Sequence, residues 1–487
     1  MLSGIKSIVA ILLSVLIAIA PYQQSAFAEN EILLPDMGDP TGALITPVQE
    51  RLLGAAFFRS LHGKLQINQD LEIQYFIESL GERLVVNSDN PQQAFHFFVV
   101  IDSAINAFAG PGGYIGVNSG LILQTETESE LASVLAHEIA HVTQRHLYRA
   151  FDAARKLSIP SAVALLAAIL IGTQSPELGQ AALIAAQAGS TQYQIDFTRD
   201  NEQEADRIGM RTLSKSNFNP RGMPSFFERL EKASRFYGEG PPEFLRTHPV
   251  TASRISDTRG RAEKFPYRQF LDSVNYQLLK AKLRVISSIK PSRVIKYFEN
   301  RLDRGTTTQK TVNLYGYALA LASASQFKQA KQILKGIINS NPERLAFYHS
   351  LAKIETESGN IKTALQLYSQ TTERFPDNRA ITMDFASCLL RDGQNESARK
   401  LLTDYLHHHN PTPNSYNLLS RAYGNLGKSA QSHRYIAEYY YSMGQLKPAI
   451  THARLGFKNA GGNHYLSAVI EDRLESFVAE EEERKKN

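Results

Sequence analysis

The stretch Leu131-Ala-Ser-Val-Leu-Ala-His-Glu-Ile-Ala-His-Val142 reads as a helix, and the rest of the chain is best read outward from it. Four residues apart on a helix, His137 and His141 project from the same face, so their imidazoles can hold one metal ion together. Glu138 is not a ligand at this spacing; it is placed to accept a proton from an attacking water. Thr127-Glu-Ser-Glu130 fits a capping box, with the Thr hydroxyl accepting from an early backbone N–H and Glu130 reaching back. The reading is a helix from about residue 127 to 150 with the His pair in its middle, where a metal site is held rigidly. Chemically, the constellation is that of a zinc peptidase.

Upstream, residues 30 to 50 look extended, because Pro35, Gly38-Asp-Pro40 and Pro47 break helix. Residues 48 to 88 carry helical patterns. Phe95 to Ile101 reads as a buried strand. Ile105 to Ala109 and Tyr114 to Asn118 read as further strands around a Gly110-Pro-Gly-Gly113 turn. Downstream, Ser161 to Gly172 and Ala181 to Ala188 are apolar runs too short to span a bilayer. They fit buried helices; the other reading is an apolar surface that makes peripheral contact with membrane or unfolded substrate. Phe197 to Ser214 reads as a helix, Arg246-Thr-His-Pro249 as a loop, and the first globular part closes near residue 265.

A catalytic zinc site needs three protein ligands and an open position. One extension of the His pair requires Gly at 144 and His at 147, but Gln144 and Leu147 stand there. His146, five residues past His141 on a continuous helix, points to another face. The third ligand is then expected to be a carboxylate on a second helix. Glu202 is the first choice, with Asp206 one turn later to hold a His N–H and fix its tautomer. Glu204 is the rival; it faces elsewhere on that helix and reads as solvated.

The second half of the chain repeats. Ala318, Ala352 and Ala386 are 34 residues apart, as are Ala330, Ala364 and Ala398, and as are Pro342 and Pro376. Gly359 and Gly393 mark turns between paired helices. This is the tetratricopeptide period. Residues 271 to 310 look helical but match weakly, as an atypical first unit would. After residue 412 the period shifts: Ala437, Gly444 and Ala449 restore the internal offsets, leaving 413 to 429 as an odd helix or part of a degenerate unit. Such stacks bind peptide or protein on a concave face, or serve as rigid scaffolds.

The 487 residues are too many for one ordinary core. A formal charge of +5 without a basic cluster argues against nucleic-acid binding. Lys6, the apolar run Ile8 to Ala20 and Ala26-Phe-Ala28 compose a signal peptide cleaved after Ala28, which implies export to the periplasm. An uncleaved anchor is the other reading, against which the run of about 13 residues is short. Cys388 is the sole cysteine, so no internal disulfide can form, and it reads as a small buried hydrophobe. Glu480 to Lys486 reads as a frayed, solvated tail.

With His137-Glu138-x-x-His141 followed by Glu202-x-x-Ala205-Asp206, and with Asn106-Ala-Phe-Ala-Gly-Pro-Gly-Gly-Tyr-Ile-Gly-Val-Asn118 before the motif helix, the chain resembles the M48 metallopeptidases. The resemblance implies His137, His141 and Glu202 as ligands of one Zn²⁺ per chain, Glu138 as general base and Asp206 behind a ligand. Thr247-His248-Pro249 with Arg254 matches a further feature of that family. His248 would stabilise the oxyanion, or occupy the fourth metal position and hold the enzyme latent, or be a surface loop residue. The expected fold is mainly α: a zincin-type α+β peptidase domain with a small sheet over 29–265, an α-solenoid of tetratricopeptide repeats over 270–480, and a charged tail over 481–487. Together with the leader and the repeats, the resemblance implies unfolded or misassembled outer-membrane β-barrel proteins and the barrel-assembly machinery as partners. Two functions follow: a zinc endopeptidase whose repeats recruit clients, or a chaperone and assembly factor whose protease is latent. Substrate would lie extended along an edge strand near Phe108 to Val117.

Overall fold

The computed structural model describes residues 45–62, 64–154, 191–234 and 243–486. The segment read as a leader and the two apolar runs at 161–172 and 181–188 lie outside these residues. Helices α1 (Pro47–Leu61) and α2 (Leu71–Val85) come first. Pro47, read from sequence as a helix breaker, opens α1 at its first turn, where no N–H is needed, behind a Thr46/Gln49 capping box. Strands β1 (His96–Val100), β2 (Ala107–Ala109) and β3 (Tyr114–Asn118) form one sheet in the order β1-β3-β2, with β1 parallel and β2 antiparallel to β3. Both β1 and β2 are edge strands, but Asn68 donates to the Val99 carbonyl and Ile101 to the Gln66 carbonyl, each at 2.8 Å, which covers β1 and leaves β2 as the open edge. Val117, which the sequence placed on an edge, sits in the central strand between Val99 and Ala107.

Helices α3 (Ser119–Gln124), α4 (Glu128–Thr143) and α5 (His146–Ala154) follow, then α6 (Thr191–Lys215), α7 (Gly222–Ser234), α8 (Glu243–Thr247) and α9 (Ala252–Glu263). Every residue of α4 from Ser129 to Ala140 is buried, so the motif helix is the axis of the peptidase core. Thr127 caps it by accepting from the Glu130 N–H, but Glu130 does not complete a capping box. Its carboxylate accepts instead from the Glu126 N–H at 2.6 Å and pairs with Arg229 of α7. The single helix expected over 127–150 is two: Arg145 takes a left-handed φ of 54°, and the chain turns between α4 and α5.

The remaining helices pair. They are α10 (Val274–Ile286) and α11 (Pro291–Glu299), α12 (Thr307–Ser323) and α13 (Phe327–Ser340), α14 (Leu345–Glu357) and α15 (Ile361–Arg374), α16 (Arg379–Arg391) and α17 (Asn395–Leu406), α18 (Pro413–Asn425) and α19 (Ser429–Ser442), α20 (Leu446–Asn459) and α21 (His464–Lys486). Both alanine columns are fully buried, as close helix pairing requires, and Cys388 is buried as expected. A left-handed residue closes the turn within each pair from α12 to α19, and again between α19 and α20: Ser325, Gly359, Gly393, Gly427 and Gly444. Helix α19 thus has the same turn on both sides. It is second helix to α18 and first helix to α20, which is the physical form of the period shift. In the α18–α19 pair Ser420 and Ser432 replace the two alanines, and each hydroxyl donates to the other residue's carbonyl at 2.9 Å. The residues 413 to 429 therefore belong to a degenerate unit. The tail is helical through Lys486 rather than frayed; its Glu and basic residues stand four apart, the spacing that supports a helix.

Helix α10 serves two cores. Tyr276, Leu279 and Leu283 pack with the peptidase, Leu278 and Ala281 with the repeats. A buried charge row crosses the same seam. Lys282 reaches Asp70 at 2.7 Å and also pairs with Glu72; His349 lies 3.0 Å from Glu72 and 2.8 Å from Asp384. At the far end of the repeats Glu480 pairs with Arg59 of α1 at 2.8 Å, and a Cβ at Gly444 would stand 2.6 Å from the Arg59 carbonyl. The repeat arc thus touches the peptidase at both ends, and Leu44–Asn487 holds together as one compact unit.

Burial pushes His349 down, but Glu72 and Asp384 outweigh it and raise its pKa to about 9. A group raised in the folded state stabilises fully below its unfolded pKa and ceases to do so as pH climbs through the folded one. The thermal midpoint is expected to fall between about pH 6.5 and pH 9, and His349→Gln to flatten that fall. An unchanged slope in His349→Gln would show that the row does not couple seam stability to pH.

Candidate metal centre

Three elements bring the site together. Helix α4 supplies His137, Glu138 and His141, α6 supplies Glu202 and Asp206, and His248 follows directly on α8. The helices α4 and α6 touch closely because Gly209 faces α4; a Cβ there would come within 3.1 Å of the His137 nitrogen. The segment read as a loop over 246–249 is half helix. Phe244, fully buried, anchors α8, its N–H donates to the Ile105 carbonyl at 3.0 Å, and its ring packs 4.9 Å from that of His248.

One ligand atom each from His137, His141, Glu202 and His248 lies within 4.8 Å of the other three. His137 Nε2 is 3.0 Å from His141 Nε2 and 3.4 Å from His248 Nδ1. Glu202 places Oε2 3.3 Å from His137 and Oε1 3.3 Å from His141 and 3.0 Å from His248. Four donors at about 2.0–2.1 Å from a tetrahedral centre stand roughly 3.3 Å apart. The observed separations fit a small divalent ion held by three imidazoles and a carboxylate.

Behind the donors, Asp206 lies 3.0 Å from His137 Nδ1. Arg254 grips Asp206 with two nitrogens at 2.8 Å, reaches Glu202 Oε2 at 2.8 Å and donates to the Pro249 carbonyl at 2.9 Å. Burial pushes both carboxylates up, yet their histidine and arginine partners outweigh it and hold both below the usual range, Glu202 well below. Burial pushes His137 down, but Asp206 and Glu202 raise it to about 10, whereas burial carries His141 down to about 3. Without an ion, then, a proton on His137 compensates the anions; a divalent cation would replace it. Glu138 is 1% exposed and raised by burial, 3.5 Å from His248 Nε2, and accepts from the Ala109 backbone.

The sequence placed the two histidines, Glu202, Asp206, Arg254 and His248 where the structure brings them together. It misjudged two neighbours. His146 does not face away: its Nδ1 is 2.8 Å from His141 Nδ1. Glu204 is not merely solvated, since it meets His146 at 3.1 Å and Arg149 at 2.6 Å. Gly209 has one signal in the sequence, its place three residues after Asp206, one turn along the same helix.

The chain is similar to known proteins along most of its length. The model of peptidase family M48 matches residues 74–262, and a tetratricopeptide repeat model matches residues 355–422. The chain belongs to family M48 and is a metallopeptidase with tetratricopeptide repeats. Along most of its length it is similar to proteins described as beta-barrel assembly-enhancing proteases. It is 36% identical over 411 residues to the putative one of Vibrio cholerae, covering 83% of this chain and 84% of that one. It is 33% identical over 446 residues to that of Yersinia pestis, covering 91% and 92%. With that of Escherichia coli K12 it shares 33% over 426 residues, covering 88% and 87%.

Removing one partner of a buried ion pair costs about 3–5 kcal/mol. Arg254→Met, which strands Asp206 and Glu202, is expected to destabilise the metal-free protein by about that much in denaturant unfolding. A loss under about 1 kcal/mol would mean the carboxylates find other partners.

Proposed function

We propose that the chain is a periplasmic zinc endopeptidase that cleaves unfolded or misassembled outer-membrane β-barrel proteins. The observation that carries this reading is the convergence of His137, His141 and Glu202 beside Glu138 and the sheet edge. One Zn²⁺ held there would supply Lewis acidity to a water and to the scissile carbonyl. Glu138 takes the water proton and passes it to the leaving amine, and its raised pKa suits both halves of that exchange. Gly110 and Asn118 mark bonded pairs at either end of the β2–β3 ladder. Alternation along an antiparallel pair then turns the Ala107 N–H and carbonyl and the Ala109 carbonyl to the open edge, while the Ala109 N–H is given to Glu138. An extended substrate added there would be bound through its main chain, with little demand on sequence.

The relatives' names tie them to β-barrel assembly, and the leader read from the sequence supports export. The repeats would recruit clients or the assembly machinery. Among the described residues no helix is long and apolar enough to cross a membrane; a peripheral contact through the apolar runs stays part of the proposal. A second reading has its own observation. His248 Nδ1 sits where a fourth donor would, so it would exclude water and hold the protease latent while the repeats act as a chaperone or assembly surface.

Degradation of an unfolded β-barrel precursor by the purified protein distinguishes these readings. Cleavage is expected to stop with chelator and to drop by about 10²-fold or more in Glu138→Gln. Cleavage that survives both would contradict the metallopeptidase assignment of these residues. His248→Ala is expected to raise cleavage; unchanged or lower cleavage would remove the latch.

A further inference from the structure

The turn at Arg145 has a chemical consequence. Helix α4 ends at Thr143, and the left-handed φ of 54° at Arg145 folds the chain so that His146, first residue of α5, comes back against His141. The two rings meet edge to face at 4.7 Å, with Nδ1 to Nδ1 at 2.8 Å. His146 is 4% exposed. Its Nε2 is 3.1 Å from Glu204 Oε2. Glu204 in turn accepts from Arg149 at 2.6 Å, and Arg149 also donates to the Asn201 side chain at 2.8 Å. A row of four side chains thus runs outward from His141, pinned at its far end to α6.

Hydrogen-bond chemistry leaves this row one proton arrangement that serves a metal. His141 turns Nε2 toward the other donors, 3.0 Å from His137 and 3.3 Å from Glu202. To offer a lone pair there, His141 must carry its proton on Nδ1. That proton is donated to His146 Nδ1. His146 must then hold its own proton on Nε2, and the acceptor waiting for it is the Glu204 carboxylate. Reversing the row would put a proton on His141 Nε2, inside the donor cluster, where it would block coordination.

We propose that His146 and Glu204 are positioning residues that set the tautomer and ring orientation of His141. Each histidine of the motif helix then has a carboxylate behind it. For His137 it is Asp206 directly; for His141 it is Glu204 through one intervening imidazole. The inference rests on the metal-centre reading above.

The test is the zinc dissociation constant of the full chain, measured by competition with a chromophoric chelator, alongside the thermal midpoint of the metal-free protein. His146→Phe keeps an aromatic ring and removes both nitrogens; it is expected to weaken zinc binding by about 10–100-fold. Glu204→Ala is expected to weaken it in the same direction. His146→Gln offers a carbonyl to His141 and an amide N–H to Glu204, and is expected to recover most of the loss. Wild-type affinity in His146→Phe or in Glu204→Ala would overturn the positioning role, and so would a His146→Gln as weak as His146→Phe, which would make the contact one of packing. A wild-type chain that binds no zinc would overturn the metal-centre reading itself, a distinct failure.

Discussion

Two ionised carboxylates with almost no water around them govern this molecule. Glu202 is 3% exposed and Asp206 1%. An unpaired buried anion is too costly to keep, so everything near α6 is arranged to supply positive charge or donated protons. Arg254 supplies one charge from α9 and ties the His248 segment to the same helix through the Pro249 carbonyl. The histidines of α4 supply the rest, through a proton in the ion-free state or a cation in the loaded one. The demand for charge and the demand for metal binding are the same demand, which is why the donors stand at coordination distances before any ion is considered.

That centre needs a scaffold that does not give. Helix α4 is buried on every face and α6 is drawn against it at Gly209. The sheet presents β2 as its free edge, with Ala109 in contact with Glu138. The repeats are not a detachable appendage. Helix α10 contributes to both cores, the row Lys282, Glu72, His349, Asp384 crosses the seam, and Glu480 returns to Arg59. These contacts reach α1 and α2, and Phe57 and Leu61 of α1 pack against Phe98 and Phe108 of the sheet. The peptidase and the repeats therefore share one framework.

Much of this was legible because it rests on short-range rules. The i, i+4 histidines, the carboxylates one helical turn apart on α6 and the alanine columns of the repeats all follow from helical geometry. The Thr127 cap was legible for the same reason. What escaped the sequence depended on a single backbone angle or a tertiary partner. Sequence alone puts His146 on the wrong face because it continues the helix through Arg145, a residue whose positive φ no propensity announces. Glu204 looked solvated because Arg149 and His146 reach it from α5. Glu130 fitted a capping box but found Arg229 instead. In the repeats Ser420 and Ser432 hid a unit, since their reciprocal hydrogen bonds do the work of two alanines without resembling them.

The central claim is that His137, His141, His248 and Glu202 enclose one zinc ion in the resting protein. X-ray absorption at the zinc edge of the purified full chain, beside His248→Ala, tests it most directly. The expected result is a shell of nitrogen and oxygen donors near about 2.0–2.1 Å, with the multiple-scattering signature of three imidazoles falling to two in His248→Ala. Two imidazoles in both proteins would remove His248 from the centre, and a shell without imidazole would contradict the assignment of the site altogether.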